Sequence, residues 1–258
     1  MKLVFVDETY DNKFKEYLGL CLAIVDARFY SNIKSASHKI LREGGWNDTI
    51  EFKGSYLFSA NKGCEGVPVE TRIEVAGKIL DLNASSSNSR MRFYYGRMKS
   101  DNYKESYLDG LPGLLAKSLP TAPKGAGKNL ISIVCDSRDD ISVTELNAVI
   151  NPIIATRKYT IYERVMTASS SFDTVGLMYA DLVGYLLGRV DTISHDSELF
   201  EGLTEEQLAQ NGKVRKLKSS RQLISKIRKL SVYTHKDFSR GTPQPEAAPA
   251  RAVPATRI

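Results

Sequence analysis

Cysteine, histidine and tryptophan are scarce in this chain of 258 residues, numbering three, three and one. The cysteines, Cys21, Cys64 and Cys135, are odd in number and widely spaced, which argues against a disulfide framework or a cysteine-built zinc site. Two fall in strand-like runs and read as reduced core thiols of a cytoplasmic protein. The scattered histidines leave no basis for a histidine-built metal centre. The longest apolar run, residues 17–25, falls far short of the ~20 residues that span a bilayer, so no membrane partner is expected. No charged segment followed by an apolar one opens the chain, so no signal peptide is expected. Acids are missing altogether from residues 213–229, where eight lysines and arginines more than account for the net charge of +6. The basic excess therefore belongs to one segment.

What is present is an ordinary globular composition, 42% hydrophobic and 26% charged, long enough to bury a large core. Residues 3–8 and 17–25 form an N-terminal hairpin around a turn at 9–13. Apolar spacing predicts a helix over 28–42, stopped by Gly44-Gly45, and another from Pro68 through Leu80. Between them, residues 50–54 alternate polar and apolar. Strands are expected at 91–96, 130–136 and 159–167. Helices are expected at 102–119, kinked or split by Gly110 and Pro112, and at 144–156, bent or ended by Pro152. The segment 174–189 is the most apolar helix, and its Gly176, Ala180, Gly184 and Gly188 form a stripe small enough for close backbone packing. A short helix over 198–210, an amphipathic basic helix over 214–230 and a disordered tail from Ser239 complete the chain. Hairpin strands followed by alternating strands and helices predict a mixed α/β sheet covered on both faces. The expected organisation is a domain over 1–195, a helical C-terminal extension over 196–238 and the tail over 239–258.

Three acids stand out against this background. Leu3-Val4-Phe5-Val6 runs into Asp7-Glu8, and residues 130–135 run into Asp136. Asp181 sits inside the otherwise uncharged segment 174–188. Desolvating an ionised carboxylate costs several kcal/mol or more, so acids in buried-looking elements imply a shared partner. Ligands collect beyond strand ends in open α/β sheets, and hard oxygen donors without His or Cys select Mg²⁺ or Mn²⁺. Two such ions held by carboxylates serve phosphoryl transfer.

Phe5-Val6-Asp7-Glu8, Ile50-Glu51-Phe52-Lys53-Gly54, Val134-Cys135-Asp136 and Gly176-Leu177-Met178-Tyr179-Ala180-Asp181-Leu182 together resemble the bacterial and phage family catalogued as domain of unknown function 3800. The resemblance covers residues 1 to about 190, with the motifs in matching order. It implies a ribonuclease-H-like fold and metal-dependent nuclease chemistry. Asp7, Glu51, Asp136 and Asp181 would then be the catalytic and metal-binding acids, with Glu8 beside them and Asp7 bridging the ions. Thr9-Tyr10 and Met178 depart from the family pattern, which has small residues and Gln there. Glu51-Phe52-Lys53 also fits the Glu-x-Lys of restriction-type nucleases, in which the Lys contacts the scissile phosphate, but that assignment leaves Asp181 unexplained.

Gly125-Ala126-Gly127-Lys128 lacks the first Gly and the Ser/Thr of a phosphate loop and precedes a strand, so it is rejected. Asp139 and Asp140 read as solvated loop acids or helix-start residues. The basic helix, through Arg215, Lys218 and Arg221, is placed to grip a phosphate backbone. The leading expectation is thus a nuclease from a mobile-element or phage-defence system, acting on DNA or RNA. The competing one is a non-catalytic nucleic-acid-binding or accessory protein on the same scaffold.

Overall fold

The computed structural model describes residues 1–10, 17–47, 50–59, 66–84, 91–122, 129–169, 172–190, 204, 206–207, 212–230 and 232–236. Strand β1 (Lys2–Tyr10) pairs antiparallel with β2 (Tyr17–Asp26), and β2 pairs antiparallel with β3 (Met91–Lys99). Strand β4 (Leu130–Asp136) then lies parallel to β1 on its other side, with Val6 opposite Cys135 at the end of the ladder. Short strands β5 (Thr160–Ile161) and β6 (Met166–Ala168) extend the β4 edge, and β7 (Val232–Lys236) extends β3. The order is β5-β4-β1-β2-β3-β7. An antiparallel meander with a parallel strand returning beside β1 makes this the expected ribonuclease-H-like mixed sheet.

Helices α1 (Ala27–Glu43), α2 (Val69–Ala84), α5 (Val175–Gly188) and α6 (Gly212–Ile227) cover one face. Their Leu41, Ile79, Leu177 and Ile227 share a core with Phe5, Ala23 and Phe93 of the sheet. Helices α3 (Tyr103–Ser118) and α4 (Val143–Thr156) cover the other face, where Leu111 and Ile150 pack with Val4, Val6 and Leu22. Strand periodicity of two sends Phe5 to one core and Val4 and Val6 to the other. The α3 N-terminus is capped by Asn102, whose side chain accepts from the Lys104 and Glu105 amides. Helix α4 starts with a Ser142/Glu145 capping box.

Several expectations are corrected. Pro112 does not split α3, and Pro152 does not end α4. An internal Pro costs ~3 kcal/mol, whereas each fully buried Leu or Ile contributes ~1.5–3 kcal/mol. Helix α3 buries Leu111, Leu114 and Leu115, and α4 buries Ile150 and Ile154, on both sides of their prolines. The single strand expected at 159–167 is two short strands, because Thr160–Ile161 and Met166–Ala168 dock separately on β4. The alternating residues 50–53 run extended into a 3₁₀ turn at Gly54–Tyr56. The basic helix packs one face into the fold. Leu223, Ile227 and Leu230 enter the core shared with α2 and α5, and β7 joins the sheet. The expected helix over 198–210 lies mostly outside the described residues, as do Cys64 and the tail from Ser239.

The small-residue stripe of α5 does what its spacing predicts. A Cβ at Gly176 would lie 2.2 Å from the Phe5 ring, and one at Gly184 3.0 Å from Cys21 Cβ. The helix backbone thus rides directly on β1 and β2. Gly176→Ala should lower stability by about 1–3 kcal/mol in urea unfolding, because the Phe5 ring it would meet is buried and stacked on Tyr30. Gly77→Ala, whose Cβ would meet only the flexible end of Lys226 at 3.3 Å, should instead be neutral or gain up to about 1 kcal/mol of helix propensity.

Candidate functional site

Parallel pairing of β1 with β4 brings the ends of both strands to the same side of the sheet. Asp7 and Asp136 lie one step past the Val6–Cys135 pair, on the face that α5 covers. Asp181 descends onto them from α5. Its neighbours Ala180, Leu182 and Val183 are fully buried, so the helix cannot rotate the carboxylate into solvent. Asp181 Oδ2 accepts the Gly54 amide at 2.5 Å. That approach needs a glycine, since a Cβ at residue 54 would sit 2.6 Å from Tyr185 Cβ.

Glu51 and Lys53 arrive on the same loop. Between them Phe52 is buried against Trp46, with ring centroids 5.3 Å apart, which turns both polar side chains the other way. They pair at 3.2 Å, each about one-third exposed. The loop beyond is pinned by the buried Arg72, which donates to the carbonyls of Tyr56, Ser59 and Val67. Three backbone acceptors for one guanidinium make this a rigid platform, not a mobile flap.

The electrostatics register the crowding. Burial, then the charges of Asp181, Glu8 and Asp136, hold the Asp7 carboxyl well above its ordinary range, opposed by the Glu8 amide that donates to it at 2.8 Å. Burial also pushes Asp181 up to about 7; the Gly54 amide and Lys53 pull it down, and Asp136 and Glu51 add to the rise. Burial lowers the Lys53 ammonium, yet Glu51, Asp136 and Asp181 more than offset this and leave it raised. Asp7, Glu51, Asp136 and Asp181 therefore sense one another, with Lys53 among them.

Glu8 goes elsewhere. As the next residue on β1 it points to the opposite face, where Arg138 pairs with it at 3.1 Å. Arg215 belongs to α6, and Lys218 and Arg221 lie exposed on that helix. Among the described residues, no group of three or more His, Cys, Asp or Glu side chains is gathered tightly enough to form a ready ligand set. The acids share a neighbourhood, but Glu51 leans on Lys53, Asp181 on the Gly54 amide and Glu8 on Arg138.

No family model matches the chain, and no curated protein matches it. Among solved structures it is similar to the PCNA:RNase HII complex from Archaeoglobus fulgidus, at 13% identity and a TM-score of 0.40, covering 96% of this chain and 98% of that one. It is also similar to ribonuclease H2 from Pyrococcus horikoshii OT3, at 13% identity and a TM-score of 0.41, covering 88% and 99%. Likeness this low leaves the chemistry to be read from the residues of this chain.

Beside the acids lies a group the sequence reading missed. Asp181, Tyr185 and the C-cap residue Arg189 recur every four residues along one side of α5. The Arg189 guanidinium lies 5.2 Å from the Phe58 ring centroid and 5.5 Å from that of Tyr185. Lys216 of α6 reaches the Phe58 ring at 5.8 Å. The signal available was Tyr185 and Arg189 at helical spacing from Asp181; Phe58 and Lys216 come from distant segments and carried none.

An acid whose folded pKa exceeds its unfolded value binds its proton more tightly in the folded state. For Asp181 that contribution favours the fold at acid pH and is lost as pH rises from the ordinary 3.8 through about 7. In chelator, Asp181→Asn, which keeps an oxygen for the Gly54 amide, should therefore be more stable than wild type at pH 8, by on the order of 2 kcal/mol in thermal unfolding. The difference should shrink towards zero by pH 4.

Proposed function

We propose that this chain is a divalent-metal-dependent nuclease in which Asp7, Glu51, Asp136 and Asp181 hold Mg²⁺ or Mn²⁺ against a phosphodiester. The observation that carries the reading is the gathering of like-charged carboxylates from β1, β4 and α5 in one place, Asp7 buried and Asp136 and Asp181 half-buried, at an electrostatic cost. Nothing in packing requires an acid at Asp7 or Asp181, and an apolar residue would be cheaper there. The donors are all carboxylate oxygens, which fit hard cations of this kind. A bound cation would supply charge neutralisation at the phosphate and a water of lowered pKa.

The chain's own residues have separable parts in this scheme. Asp7 and Asp181 are fixed by backbone amides and give the site its rigid floor. Glu51 is the adjustable member, since its partner Lys53 is a flexible side chain that can turn from Glu51 to a phosphate oxygen. Arg189 at the end of α5 and Lys216 of α6, both beside Phe58, would steady the substrate backbone, with Lys218 and Arg221 extending the positive surface. The order of motifs along the chain supports membership of the family catalogued as domain of unknown function 3800. A second reading, nucleic-acid binding without cleavage, is favoured by one observation: no three of the acids form a ready ligand set among the described residues.

Calorimetry with Mn²⁺ and cleavage assays on single- and double-stranded DNA and RNA separate the two. Wild type should bind Mn²⁺ and cut at least one substrate, and Asp7→Asn and Asp136→Asn should each lose 100-fold or more in rate. Retained nucleic-acid binding with neither Mn²⁺ uptake nor cleavage would establish the second reading. The basic surface has its own test. Lys216→Gln/Lys218→Gln should lower the slope of log K against log [salt] by about 2, with equal losses on unrelated sequences.

A further inference from the structure

The opposite face of the sheet carries a second polar cluster that none of the proposed chemistry uses. Glu8 and Arg138 pair at 3.1 Å with each side chain only 10% exposed. Tyr10 OH donates to Glu8 Oε1 at 3.1 Å, and Arg138 donates to the Tyr10 oxygen as well. The other edge of the guanidinium grips Asp140 through Nε at 2.9 Å and Nη2 at 2.8 Å. Its flat face lies 5.1 Å from the Tyr107 ring centroid. Arg138 thus has a hydrogen-bonded partner on each edge of its guanidinium and a ring beside it.

The placement of this cluster gives it a use. The hydrogen-bonded ladder between β1 and β4 stops at Val6 and Cys135. Asp7 and Asp136 lie just beyond, where their like charges repel each other. Glu8 follows Asp7 directly, and Arg138 follows Asp136 by two residues. Their ion pair ties the same two strand ends together from behind, past the point where backbone pairing ceases. A buried ion pair is a weak source of net stability, because desolvation offsets its attraction. Holding a geometry is the better account of it.

We propose that Glu8 and Arg138 are a positioning pair that sets the separation of Asp7 and Asp136, and that Glu8 is not itself a cation ligand. The inference rests on the reading that Asp7 and Asp136 act together on a divalent ion. It assigns the two halves of the Asp7-Glu8 dipeptide different tasks on different faces.

The two possible roles of Glu8 predict opposite signs. If Glu8 were a ligand restrained by Arg138, releasing it with Arg138→Met would tighten Mn²⁺ binding. As a positioning pair, Arg138→Met should weaken Mn²⁺ binding 10- to 100-fold, the usual loss for partners that orient ligands. It should also lower kcat while leaving KM for nucleic acid near wild type. Arg138→Met leaves Glu8 buried without its cation and so destabilises the fold. The double variant Glu8→Met/Arg138→Met removes both charges; it should recover most of the thermal stability yet keep the weakened Mn²⁺ binding. Arg138→Lys, which keeps one charged donor to Glu8, should fall between wild type and Arg138→Met and provides a folded comparison. Wild-type Mn²⁺ affinity and kcat in the double variant, or tighter binding in Arg138→Met, overturns the positioning role. If Asp7→Asn and Asp136→Asn also bind Mn²⁺ like wild type, the nuclease reading itself falls, and this inference with it.

Discussion

The contact on which the candidate site depends is the seating of α5 on β1 and β2. Glycines at 176, 184 and 188 let the helix backbone approach within reach of Phe5, Cys21 and Thr9. A helix separated from the sheet by ordinary side chains would ride higher, and Asp181 would have room for water. At this separation the carboxylate is half-buried, and its charge meets Asp7 and Asp136 across a short, partly desolvated gap. Attraction and repulsion alike strengthen as the local dielectric falls. The close packing therefore creates both the energetic penalty and the capacity to hold a cation.

Sheet topology supplies the other half of the geometry. In a purely antiparallel sheet, the neighbours of β1 would run the opposite way and their strand ends would point to the far side. Because β4 lies parallel to β1, two strand-end acids fall side by side without any loop having to deliver them. The antiparallel neighbour β2 contributes no acid and presents Cys21, small enough to sit beneath Gly184. The loop from Glu51 to Gly54 completes the arrangement from outside the sheet, steadied by Arg72 and by Phe52 against Trp46. Regular elements thus place three of the acids, and a pinned loop places the fourth beside the only lysine among them in the described residues.

Much of this was legible in the chain itself. The hairpin, β4 and the close-packed helix follow from apolar runs and a four-residue glycine period, signals that are local and strong. Acids stranded in those runs marked Asp7, Asp136 and Asp181 for the same reason, whereas Glu51 in a mixed loop was reachable only through the motif order. Long-range properties were hidden. Whether Pro112 breaks a helix depends on how firmly the flanking leucines are buried, and that is settled by the sheet beneath. The division of 159–167 into two strands reflects two separate docking positions along β4. Strand β7 has five residues of mixed polarity and becomes a strand because β3 offers an open edge. The company kept by Arg189, with Phe58 and Lys216 from two other segments, has no trace in local spacing.

The dipeptide Asp7-Glu8 shows how the strand's period of two sorts chemistry. Read along the chain, two adjacent carboxylates invite a common role, and both were expected at one metal centre. A strand allows no such sharing, since a step of one residue crosses the sheet. Asp7 meets the buried acids under α5, in surroundings that make a negative charge unwelcome without a cation. Glu8 meets Arg138 and Tyr10 under α3, where a cation is already built in. The same functional group is thus left without a facing cation on one side of the sheet and is paired, through Oε1, with a built-in one on the other. That difference in partner, far more than any difference between aspartate and glutamate, decides which of the two is available for chemistry and which is committed to holding the strands in place.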